Sequence, residues 1–118
     1  MLVSDAVAAA GAPLGNYLLS GRRLIRDGRA VRDHAGRLAG SAHAISHGPQ
    51  ELVRVGRSVA RALASAITAP RRLLGAPDPL SIGEPADLVV LDEHLQPQLT
   101  LIGGAVAWRE PHTTLTAA

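Results

Sequence analysis

Apolar positions along this chain fall in short runs broken by glycine, proline and aspartate, and their spacing changes from strand-like to helix-like and back. Leu2-Val3-Ser4-Asp5-Ala6 reads as the end of a buried strand that delivers a carboxylate to a loop. A domain seldom opens on the last residues of a buried strand, so the chain is expected to be the last part of a larger enzyme. Residues 6–15 follow as a small-residue stretch, either a loop or one helical turn of alanines stopped by Gly11 and Pro13. Tyr17-Leu18-Leu19, Arg23-Leu24-Ile25 and Arg29-Ala30-Val31 are short strand-like runs. Ser20-Gly21 and Asp27-Gly28 separate them, and Asp-Gly between such runs signals a hairpin. Residues 33–36 make another turn, and Leu38-Ala39-Gly40-Ser41 leads towards a helix.

Pro49 suits a first helical position, with Ser46, His47 or Gly48 as the cap region and Gly56 as the stop. Ser58 caps a second helix, where Val59, Leu63, Ala66 and Ile67 share one face. Pro70 stops it and begins a third short helix over Arg71-Arg72-Leu73-Leu74, closed by Gly75. The remainder is β: residues 87–92, 99–102 and 105–108 are apolar runs, with Gly103-Gly104 as a hairpin turn. The order is strand, hairpin, helices, hairpin, which is α+β.

Length and composition narrow this picture. The chain has 118 residues, at most one ordinary domain. Its hydrophobic content of 47% fits a folded class rather than disorder. The apolar side chains are mostly Ala, Val and Leu, with no Phe, one Trp and one Tyr. Small side chains bury little area each, so a self-contained core is weak. The absence of Cys excludes disulfides and thiolate metal sites. No run approaches the roughly 18 apolar residues of a membrane span, and no secretory leader pattern is present, so a cytoplasmic setting is expected. All twelve cations are Arg, but the net charge is only +2. Six Arg lie between Arg22 and Arg37, interleaved with Asp27 and Asp33. Without stacking aromatics this reads as a solvated hairpin face, not a nucleic-acid surface.

Two features could carry chemistry. Asp5, at the end of a buried strand, stands where barrel enzymes place catalytic groups. There it could take a proton from a metal-bound water and return it to a leaving amine; the plain alternative is an Asp that caps the next turn. Leu38, Ala39 and Gly40 could offer backbone amides to a sugar or phosphate oxygen, with Gly40 letting a ligand come close; the alternative is an ordinary turn into a helix. Of the five His, His43 and His47 have i, i+4 spacing, but Gly48 and Pro49 follow at once and no carboxylate lies within the segment. A metal site there is not expected, and no metal ligand is assigned in the chain.

These segments together resemble the C-terminal third of the N-acetylglucosamine-6-phosphate deacetylases of the amidohydrolase superfamily. The matching pieces are Leu2-Val3-Ser4-Asp5-Ala6, Gly15-Asn16-Tyr17, Arg26-Asp27-Gly28, Gly36-Arg37-Leu38-Ala39-Gly40-Ser41, Leu52-Val53 with Gly56, Pro70-Arg71 with Leu74-Gly75, and residues 83–92 with the hairpin to Gly103-Gly104. Residues 83–92 are shared widely across amidohydrolases. The pairing of Ser4-Asp5-Ala6 with Leu38-Ala39-Gly40-Ser41 is more specific to the deacetylases.

The resemblance implies a fold and a function. The fold is α+β: the C-terminal fragment of a metal-dependent-hydrolase TIM barrel, contributing the last barrel strand, a β-hairpin and two to three helices, plus the returning strands of a small composite β-sandwich. Residues 1–75 would form the barrel end, with an inserted hairpin at 17–33; residues 76–108 the sandwich strands; residues 109–118 a tail. The implied reaction removes acetate from N-acetylglucosamine 6-phosphate. Asp5 would be the catalytic base and then acid, and Leu38, Ala39 and Gly40 would hold substrate. A divalent metal of the zinc or iron class is implied for the complete enzyme, with its ligands outside this chain. The chain would bind the amino sugar phosphate only when completed by an N-terminal portion, without nucleic-acid or membrane partners. The residues also leave open a non-catalytic α+β piece that forms a homo-oligomer, and an amidohydrolase acting on another amide.

Overall fold

The computed structural model describes residues 1–28 and 30–112. β1 (Gly15–Leu19), β2 (Arg22–Arg26), β3 (Ala30–Asp33) and β4 (Leu38–Ser41) form an antiparallel sheet in sequence order. The turns account for this meander. Ser20 (φ 49°) and Gly21 (φ 76°) are both left-handed, as a tight type I′ hairpin turn requires. Asp33 Oδ1 accepts from the amides of Ala35 (2.9 Å) and Arg37 (3.0 Å), closing the turn between β3 and β4. Residues 38–41 are therefore a strand rather than an approach to a helix, and the expected hairpin is a four-stranded sheet. Leu24 (β2), Val31 (β3), Ala9 and Ala42 form its buried cluster, with Val7, Tyr17 and Ala39 packed against it.

The opening segment differs from the expected buried strand. Residues 1–5 form no strand; a single parallel bridge joins Ala6 to Ser41. Among the described residues no second strand flanks it, so Val3 and Asp5 are exposed. The segment nevertheless connects two layers. The Leu2 amide donates to the Ser65 carbonyl oxygen at 2.7 Å, and the Ser41 amide donates to the Asp5 carbonyl oxygen at 2.8 Å.

Three helices follow: α1 (His47–Arg54), α2 (Val59–Ala66) and α3 (Thr68–Leu73). α1 and α3 each begin two residues before the proline expected to open them. Both prolines sit at the third helical position, where the amide has no partner within the helix and its loss is tolerated. Ser58 caps α2 by accepting from the Arg61 amide at 3.4 Å. The face of α2 is rotated from the expected one: Ala62 is the buried residue, Leu63 and Ala66 are half-buried, and Val59 is exposed. No helix among the described residues is long and apolar enough to cross a membrane.

β5 (Leu88–Leu91), β6 (Pro97–Ile102) and β7 (Ala105–Arg109) form a second antiparallel sheet, turned at Gly103 and Gly104 as expected. β7 continues through Arg109, and the Glu110 amide donates to Gln98 at 3.0 Å. The proposed tail thus begins within this strand, and residues 113–118 of it lie outside the described residues. Every residue of β7 is exposed, including Val106 and Trp108.

The chain is extended for its length. Its radius of gyration is 16.8 Å, against about 13.5 Å for a compact domain of this size. Its accessible surface is 8543 Å², against about 6,100 Å² for a folded monomer of this mass. The core is as small as the composition implies: the one fully buried large side chain among the described residues is Val31.

Candidate functional site

The structure brings Asp5 together with Gly40 and Ser41. Asp5 adopts φ +46°, a left-handed conformation that Asp tolerates better than most residues. Its carbonyl oxygen is fixed by the Ser41 amide. Its carboxylate has no hydrogen bond or ion pair among the described residues. The turn that follows is therefore not capped by Asp5. The Ala6 amide instead faces Ser4 Oγ at 3.5 Å, and the Val7, Ala9 and Ala42 carbonyls hold the amides of Ala10, Ala12 and Gly11. Asp5 is thus an exposed, unpartnered carboxylate on a backbone held from below.

Residues 38–40 take three different positions along β4. Leu38 is exposed, Ala39 packs on the buried cluster, and Gly40 is buried. A glycine at position 40 suggests room for a ligand. That space is filled by the chain itself: a Cβ there would lie 2.5 Å from Val7 Cγ1 and 2.8 Å from the Asp5 carbonyl oxygen. Leu38 and Ala39 border an open hollow of about 350 Å³ with Arg22, Asp33 and Arg37. Asp5 is not part of that hollow.

Ser41 belongs to the 38–41 motif, but the sequence assigns it no role of its own. Its amide holds Asp5, and its Oγ accepts from the His43 amide at 3.0 Å, turning the chain out of β4. Backbone roles of this kind leave no mark in a sequence beyond a residue suited to a turn.

Elsewhere a few charged groups are paired. Arg37 contacts Asp33 Oδ2 through Nε and Nη2, each at 2.8 Å, and Arg32 lies 3.6 Å from Asp27. The Arg37 backbone amide and guanidinium, with the Ala35 amide, hold the Asp33 carboxyl below its ordinary value. The hydrogen bond from Arg54 does the same for Glu51 and holds the Arg54 guanidinium above its own. The His43 and His47 rings stack at 4.3 Å, and His47 Nε2 lies 3.8 Å from Glu51 Oε1. No group of three or more His, Cys, Asp or Glu among the described residues could hold a metal ion.

No protein-family profile matches the chain. Individual proteins do. An N-acetylgalactosamine-6-phosphate deacetylase of Escherichia coli O157:H7 is 35% identical over 111 residues, covering 91% of this chain and 29% of its own length. A provisionally named N-acetylgalactosamine-6-phosphate deacetylase of Escherichia coli strain K12 is also 35% identical over 111 residues, and the chain spans 66% of it. The N-acetylglucosamine-6-phosphate deacetylase of Rattus norvegicus is 34% identical over 117 residues, of which the chain spans 28%. Among solved structures, the N-acetylglucosamine-6-phosphate deacetylase of Thermotoga maritima superposes with a TM-score of 0.81 at 27% identity, covering 92% of this chain and 31% of its own. The Mycobacterium smegmatis enzyme, a D267A mutant in complex with N-acetyl-D-glucosamine-6-phosphate, superposes with a TM-score of 0.76 at 28% identity, covering 88% of this chain and 29% of its own.

Proposed function

Because this chain is homologous over most of its length to one portion of the N-acetylglucosamine- and N-acetylgalactosamine-6-phosphate deacetylases, we propose that it supplies the C-terminal part of such an enzyme. In this reading residues 1–75 complete a TIM-type barrel and residues 76–108 return to a small β-sandwich. The large excess of exposed surface supports a chain that rests against another part. The reaction is hydrolysis of the acetamide of N-acetylglucosamine 6-phosphate, in the cytoplasm.

The observation that carries the reading is the meeting of Asp5 with Gly40 and Ser41. The two motifs most specific to the family are far apart in sequence and are joined here by a 2.8 Å backbone hydrogen bond. A free carboxylate on a fixed backbone suits proton transfer. As water attacks the amide carbon, Asp5 takes one of its protons. As the carbon–nitrogen bond breaks, Asp5 passes that proton to the departing amine, giving acetate and glucosamine 6-phosphate. Of residues 38–40, Leu38 and Ala39 border the open hollow where the sugar phosphate would be held, while Gly40 seats the Asp5 segment. The described residues do not themselves fit a metal site, so the divalent ion of zinc or iron class that the resemblance implies belongs to segments outside this chain.

A second reading changes the substrate to the C4 epimer. The two Escherichia coli relatives, both 35% identical, carry N-acetylgalactosamine 6-phosphate in their names. The experiment for both is acetate release from each epimer by this chain combined with an N-terminal portion of a relative. Asp5→Asn should lower turnover by about 10²–10⁴-fold and leave substrate binding largely intact. A near-normal rate would remove Asp5 from the mechanism, and release from neither epimer by the unaltered pair would overturn the deacetylase reading.

A further inference from the structure

We propose that Gly40 is the positioning residue for Asp5. This rests on the reading of Asp5 as the proton-transfer group. The opening segment lies on β4 at one place only, and the approach there is closer than any side chain allows. A Cβ at position 40 would meet Val7 Cγ1 at 2.5 Å and the Asp5 carbonyl oxygen at 2.8 Å, both under the distance real Cβ atoms adopt. The second atom belongs to backbone, which cannot swing aside. Gly40 also has φ +145°, a conformation side chains rarely take. Space and backbone therefore both require glycine.

The consequence falls on Asp5. Its φ of +46° is sparsely populated for a residue with a side chain and persists only where the surroundings fix it. Two contacts do so: the Ser41 amide on the Asp5 carbonyl oxygen, and Val7 seated over Gly40 just beyond. Both depend on the close approach at position 40. Moving the segment outward to admit a methyl group stretches the hydrogen bond and releases Asp5 towards ordinary extended backbone. Because the carboxylate has no other partner among the described residues, nothing else restores its direction. Leu38 and Ala39, which line the neighbouring hollow, do not touch this relationship.

Nuclear magnetic resonance on the full chain tests this without any activity being read, so the result stands apart from whether deacetylation occurs. The unaltered chain should show the strong contact between the Asp5 amide and its own Hα that positive φ produces, and slow exchange of the Ser41 amide. Gly40→Ala should lose the first and speed the second by about tenfold or more, while the Leu24 and Val31 amides stay protected. Adding Val7→Ala to Gly40→Ala removes the 2.5 Å clash and should restore part of the Asp5 signature. Selective loss without that restoration assigns the effect to the Asp5 carbonyl contact and also supports the proposal. Three results overturn it: an unaltered chain lacking the Asp5 signature, Gly40→Ala retaining it, or both variants losing the Leu24 and Val31 amides as well. The last would make Gly40 a support of the sheet rather than of Asp5.

Discussion

Gln50 Nε2 donates to the Leu95 carbonyl oxygen at 3.0 Å, a side-chain hydrogen bond that ties the helices to the loop of the second sheet. Leu95 is buried and has φ +59°, in the loop between β5 and β6. The bond fixes a strained residue and helps dock the three-stranded sheet on the helices. Gln50→Ala leaves that carbonyl without its partner. The expected loss is up to about 1–3 kcal/mol, the range for a buried acceptor left without its partner. A urea titration should show the midpoint fall, and amide exchange should show β5 and β6 opening before β2 and β3.

Acid should destabilise the first sheet. Asp33 is held below its ordinary value of 3.8, chiefly by the Arg37 amide and guanidinium. A carboxyl whose value is lowered by folding contributes stability that is complete above its unfolded value and is lost as pH falls through its folded one. Thermal midpoints should therefore stay level from neutral pH to about the ordinary carboxylate range and drop below it. Asp33→Asn should lie below the unaltered chain at neutral pH, and the two curves should converge in acid. Curves that stay parallel throughout would show that the carboxylate charge contributes nothing to the turn.

Among the described residues nothing covers the β7 edge of the second sheet. Val106 and Trp108 are 55% and 45% exposed on β7. An uncovered edge with apolar side chains is a template for another strand. Sedimentation of the chain by itself should find species heavier than a monomer. Val106→Lys with Trp108→Lys should return it towards monomer, because charge on an edge opposes pairing. An unaltered chain that stays monomeric at high concentration would show that its own contacts suffice.

What could be read in the sequence followed local chemistry. Ser20-Gly21, Asp27-Gly28 and Gly103-Gly104 mark turns because those residues accept the backbone their turns demand, and the strands beside them were legible in consequence. Ser58 announced α2 in the same way. β4 was missed because Leu38-Ala39-Gly40-Ser41 has no β-branched or aromatic residue; the turn built on Asp33 makes it a strand. The opening segment was overread. An apolar pair such as Leu2-Val3 says that burial is wanted, not that strands stand on both sides to provide it. The contact between Asp5 and Gly40 joins distant stretches, and no local rule could place it. A glycine there suggested closeness to something, and the structure identifies that something as the chain's own backbone.

The same contact allows chemistry and fold to be separated at Asp5. Asp5→Asn and Asp5→Gly both remove the carboxylate. They differ in backbone: Asn tolerates a left-handed conformation about as well as Asp, while Gly adopts it without penalty. If the proposed role of Asp5 holds, the chain combined with an N-terminal portion of a relative should lose turnover by about 10²–10⁴-fold in both variants, the contribution of general acid–base catalysis. In the chain alone Asp5→Asn should melt with the unaltered protein. Asp5→Gly should gain or lose no more than about 1 kcal/mol, as relief of the positive φ offsets the greater freedom of the unfolded chain. Equal loss of turnover with unequal melting would assign the carboxylate to the reaction and the left-handed turn to the fold. Turnover that survives in both variants would instead leave Asp5 a backbone support only, and the proton would have to be carried by another group.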